Sequence, residues 1–137
     1  HQEKVTLNAS IRQLELDLNI ARNLALQSNF LYRVILNIGS NDYAIYQQHA
    51  TQNSWLLYKN NRFEVDGITI PTSDLSHAQV VFSHTAEAFE DPTTDLPDSS
   101  LDNPLTTTKS ITLQYHNRGT KKLYITPFTG YISLSEL

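Results

Sequence analysis

Residues 7–36 read LNASIRQLELDLNIARNLALQSNFLYRVIL, and the fold of the chain turns on how this stretch is divided. Leu7, Ile11, Leu14, Leu18, Ala21 and Ala25 recur at spacings of four, three, four, three and four. At roughly 100° per residue they fall on one narrow stripe, the pattern of a helix with one buried face. Leu16 and Ile20 lie well away from that stripe, and Leu24 and Leu26 broaden it on both sides. The charged residues Arg12, Glu15, Asp17 and Arg22 interrupt the helix without defining a clean polar face. The reading is a helix starting near Asn8 or Ser10, either of which can cap free amide groups. Ile11, Leu14, Leu18, Ala21 and Ala25 would pack on a sheet, and Leu16, Ile20 and Leu24 would face a second partner.

Past Asn29 the period changes. FLYRVILNI is rich in β-branched and aromatic residues, and a turn at IGSND precedes YAIYQQ. SWLLYK and RFEV follow, divided by an expected turn at Asn60–Asn61, and VDGITI contains an Asp-Gly turn. Further strands are expected at 78–83, 111–116, 121–126 and 130–134, joined at Asn117-Arg118-Gly119 and at Pro127-Phe128-Thr129-Gly130. Short links between strands imply antiparallel pairing. The fold class is therefore α+β: one N-terminal helix packed on antiparallel sheet, either two small sheets or one strongly twisted one. The chain reads as one domain over 1–137, with a helical stem at 7–29 and a β-rich head at 30–137. Within the head, 84–110 carries three prolines and six acids (Glu87, Glu90, Asp91, Asp95, Asp98, Asp102) before Lys109, and reads as a long mobile acidic loop.

Chemistry is sparse. There is no cysteine, which excludes disulfides, thiol catalysis and thiolate metal sites. Net charge is −4, which argues against generic attraction to nucleic acid or anionic lipid. No apolar run is long enough to span a membrane. His1, His49, His77, His84 and His116 form no paired zinc spacing. Gly39-Ser40 lacks the second glycine of a nucleophile elbow, and no phosphate loop or dinucleotide fingerprint occurs. Asp95, Asp98 and Asp102 are a weak Ca²⁺ candidate, since that ion takes many oxygen ligands, but their spacing matches no EF-hand. Arg118, Lys121 and Lys122 are read as a solvated strand edge that discourages aggregation, and Asn8-Ala9-Ser10 as a cap that happens to match a glycosylation sequon. The aromatic residues fall mostly at strand positions, where cross-strand packing is the default. No cofactor, small-molecule substrate or enzymatic constellation is indicated.

Two segments carry a resemblance. Ala21-Arg22-Asn23-Leu24-Ala25 runs into the first strand almost directly, and Lys122 to Leu134 forms a strand, a turn with Gly130 and a last strand. These ends resemble minor pilins and pseudopilins of the GspH/FimT type, in which a long N-terminal helix closes on an Ala-Arg-x-x-Ala pattern. The resemblance implies a non-enzymatic subunit of a type IV pilus or type II secretion filament, working with other minor pilins in a tip or initiation complex. It also implies an inner-membrane anchor in a preceding half-helix absent from this sequence, with the present domain periplasmic or extracellular. The family's DNA-capturing members carry Gly-Arg-x-Arg, whereas this chain has Gly130-Tyr131-Ile132-Ser133, so no DNA-binding residue is assigned. The alternative is a stand-alone extracytoplasmic ligand-binding or adhesin module.

Overall fold

The computed structural model describes residues 2–92, 95–98, 100–116 and 118–135, with the backbone alone for 2–5. His1 and Asn117 lie outside the described residues. Among the described residues, one helix, α1 (Gln2–Ser28), precedes nine strands. β1 (Tyr32–Leu36), β2 (Asp42–Gln48), β3 (Trp55–Arg62), β5 (Gln79–Phe82) and β6 (Ala88–Phe89) form a first sheet in the order β3-β2-β1-β5-β6. β4 (Ile68–Ser73), β7 (Lys109–Tyr115), β8 (Gly119–Ile125) and β9 (Ile132–Ser133) form a second in the order β4-β7-β8-β9. All the strand pairs are antiparallel. The helix packs across both sheets, touching β1 and β5 of the first and β7, β8 and β9 of the second.

The helix begins earlier than the capping residues suggest. Leu7 is buried beside Gly119, the lack of a side chain there giving it room. Ser10 is buried within the helix body instead of capping its start. Tertiary packing of Leu7 thus carries the helix through the expected cap. The other end closes where the sequence changes period: Asn29 takes a left-handed conformation (φ 63°), which asparagine tolerates at a helix C-terminus. Ser28 Oγ donates to Leu24 O (2.6 Å) and accepts from Phe30 N (3.2 Å), satisfying groups that the last turn leaves open.

Two further expectations give way. Asn60 and Asn61 form no turn; both lie inside β3, opposite Ala44 and Tyr43. Asn61 Nδ2 donates to Asp17 Oδ2 (2.6 Å) and to Tyr43 Oη (3.1 Å), contacts distant in sequence that outweigh the local turn preference. The acidic segment is not a free loop along its length. β6 adds to the first sheet, and Phe89 bridges Pro104. Asp91 is buried, its carboxylate accepting the backbone N–H groups of Asp102 (2.8 Å) and Asn103 (3.1 Å). Gln79 Nε2 donates to Asp91 O, and Trp55 Nε1 to Asp95 O (3.0 Å). The segment therefore covers part of the outer side of the first sheet. Beneath it the Arg33 guanidinium lies between the rings of Tyr46 (5.1 Å) and Trp55 (4.4 Å), and burial holds its pKa below the ordinary arginine value.

Candidate assembly surface

Ile11, Leu14, Leu18, Ala21 and Ala25 are all fully buried in a core shared with both sheets. Burying a leucine-sized side chain is worth about 1.5–3 kcal/mol, so this face sets where the helix lies. The small residues Ala21 and Ala25 let it approach the sheets closely there. Arg22, between them, turns outward and donates from Nε (3.1 Å) and Nη2 (2.9 Å) to Thr129 O. That clamp ties the closing turn to the helix, so the two segments on which the sequence resemblance rests meet in space. Gly130 is required in this turn: its φ is 64°, and a Cβ there would sit 2.1 Å from Ala86 O.

A buried charge sits on the helix's inner side. Asp17 is 1% exposed. Its carboxylate accepts from Tyr43 Oη (2.5 Å), Asn61 Nδ2 (2.6 Å) and Lys59 Nζ (2.9 Å), so the charge is both paired and hydrogen-bonded. Burial, reinforced by the neighbouring carboxylate, pushes the Tyr43 phenol far above its ordinary pKa. The network pins α1 to β2 and β3. Asp17 belongs to the row Ser10, Leu14, Asp17, Ala21, spaced four, three and four. That spacing is the signal by which an inward position could have been recognised.

The outward side is different. Leu16 is 60% exposed and Leu26 43% exposed. Ile20 is half-buried, while Leu24, also half-buried, packs against the core instead of joining the exposed row. The structure thus places Leu16 and Leu26 outward, with Ile20 one turn from Leu16, and turns Leu24 inward. The closing turn adds two apolar groups that pattern reading missed. Phe128 (69% exposed) and Tyr131 stand in solvent instead of packing across strands. Phe128 is held at φ 71° in a three-residue turn closed by Thr129 N donating to Pro127 O (2.8 Å). Ile132 and Ser133, which follow, are buried in β9.

Other candidates disperse. Asp95, Asp98 and Asp102 are not brought together: Asp95 offers its carbonyl to Trp55, the Asp98 N–H donates to Asn53 Oδ1 (3.0 Å), and the Asp102 N–H to Asp91. Among the described residues, no group of three or more histidines, cysteines or acids is arranged to hold a metal ion. His77 and His84 are exposed. Lys121 and Lys122 lie in the part of β8 that pairs only with β7, and so on a strand edge. The cleft lined by Arg33, Trp55, Gln79 and Asp91 has a cavity volume of about 10 Å³, far below the roughly 300–1,000 Å³ of typical small-molecule sites. No helix among the described residues is long and apolar enough to cross a membrane.

No protein-family model matches the chain, and no curated protein matches it in sequence. Two solved structures do match its fold, both of the type IV minor pilin FimU of Pseudomonas aeruginosa strain PAO1. For one crystal form the TM-score is 0.68 at 14% identity, over 98% of this chain and 91% of that one. For the other it is 0.64 at 13% identity, over 95% and 93%. The chain thus has a pilin-like α+β fold, a single N-terminal helix packed against antiparallel β-sheets, distantly related to that of FimU-type minor pilins.

Proposed function

We propose that this chain is a non-enzymatic minor pilin or pseudopilin subunit, of the GspH/FimT type, in a type IV pilus or type II secretion filament. It acts with other minor pilins in the tip or initiation complex. The observation that carries this reading is Leu16, an apolar side chain 60% exposed on the helix of a pilin-like fold. An exposed leucine alone is unremarkable on a soluble surface. On the outer side of a helix whose inner side is already committed to the core, it supplies contact area for a neighbouring subunit. Leu16 and Ile20 together offer about 3–6 kcal/mol of burial before the costs of association. That is enough to select partners without making the isolated domain oligomerise through this face. In this reading an anchor in the inner membrane precedes the domain, which works in the periplasm or outside the cell. DNA and small molecules are not its ligands.

The test is a photo-crosslinking residue in place of Leu16 of the full-length protein in its native cell. The expected product is an adduct with another filament subunit, and the same probe at Asn23, a polar position on the exposed side, gives less. Adducts only with a soluble ligand protein, or none at Leu16, would contradict the assembly role.

A further inference from the structure

The free edge of the first sheet carries a symmetry of its own. β3 ends the sheet order, and Leu56, Leu57, Tyr58 and Lys59 are all exposed, Leu57 by 50%. The side of the sheet on which each residue stands follows from its contacts. Lys59 and Asn61 reach Asp17, so they stand on the helix side. Tyr58 also does, resting edge-on against Tyr32 at 5.9 Å between ring centroids. Trp55 flanks Arg33 on the outer side, and Leu57 lies opposite Tyr46, the other ring on Arg33. Asn60 and Arg62 stand outward with Ala44 and Asp42, their partners in β2, and Leu56 stands inward with Gln47.

The register shift between Ile45 and Tyr46 makes Tyr58 an extra residue, so Tyr58 and Lys59 share a side. From Trp55 to Arg62 the sides therefore read outer, helix, outer, helix, helix, outer, helix, outer. The order is the same from either end. In an unbulged strand of this length, reversal would exchange the two sides and forbid this register.

We propose that β3 is a self-pairing edge whose partner is a second copy of this chain, joined antiparallel about a two-fold axis between Tyr58 and Lys59. Every facing pair then shares a side: Trp55 with Arg62, Leu56 with Asn61, Leu57 with Asn60, and Tyr58 with Lys59. Cations on an edge ordinarily discourage a second copy. Here each cation meets an aromatic ring of the other copy instead of a like charge. The two lysines nearest the axis already have a counter-charge in Asp17, at 2.9 Å. This pairing is independent of the pilin reading and of the outer face of α1.

The chain has no cysteine, which leaves a clean background for a register test. Leu57→Cys and Asn60→Cys lie on the outer side of the sheet, away from the core, and circular dichroism checks that each variant folds. A mixture of the two variants is expected to form a disulfide-linked dimer under mild oxidation, directly facing positions of antiparallel strands being within disulfide reach. Each variant alone should cross-link far less. Analytical ultracentrifugation of the unmodified chain should show concentration-dependent doubling of mass, and Arg62→Ala should weaken the dimer about ten-fold. A monomer at all concentrations overturns the proposal. So does cross-linking of the single variants equal to the mixture, or protection of β3 only when a different protein supplies the strand.

Discussion

The two sides of α1 are built for different environments. The inner side is a run of fully buried aliphatic and small residues interrupted by one carboxylate, and that carboxylate has three partners. The outer side places Leu16 and Leu26 among charged and amide groups, and both stay exposed among the described residues. Apolar character alone therefore does not separate core from contact surface. Angular position does: Leu14 and Leu16 are two residues apart, yet one is fully buried and the other mostly exposed.

Substitution at these two leucines gives the sharpest break in that contrast. Leu14→Ala is expected to cost about 2–5 kcal/mol, through lost burial and the cavity left behind. Leu16→Ala should fall within about 0.5 kcal/mol. Urea unfolding followed by circular dichroism measures both, and equal costs would erase the distinction between the sides. Next in size is Asp17→Ala, which strips the acceptor from Tyr43 and Asn61. A cost of about 2 kcal/mol is expected, because a buried donor left unsatisfied carries its desolvation penalty. A neutral result would mean that the inner side does not depend on its polar network.

A smaller effect appears at alkaline pH. The Tyr43 phenol keeps its proton in the folded chain after the unfolded chain has lost it near pH 10. The unfolded state then binds fewer protons, so stability falls as pH rises above about 10. The loss should be shallower in Tyr43→Phe, as a series of melting temperatures would show.

Much of this arrangement was legible from residue order. The spacing of Ile11, Leu14, Leu18, Ala21 and Ala25 defines a single helical stripe, and the short strands after Asn29 imply antiparallel pairing. Asp17 was harder to place, since a charge reads as an interruption unless its distant partners Tyr43, Lys59 and Asn61 are known. The same non-local bonding keeps Asn61 in a strand, where local preference favours a turn. It also draws Asp91 into a segment whose composition suggests a solvated loop. Phe128 and Tyr131 depart from pattern for the opposite reason: aromatic residues near strands usually pack, but this turn, tied by the Arg22 clamp and Gly130, leaves them exposed.

The most direct measurement pairs stability with assembly in Leu16→Lys. The purified domain should melt within a degree or two of the parent, since the side chain lies outside the core. The full-length variant should lose most of its recovery with partner subunits or of its filaments, because a lysine there replaces apolar contact with a charge to be desolvated. A large drop in melting temperature would make Leu16 part of the core. Undiminished assembly would show that the outer face of α1 is not the contact surface.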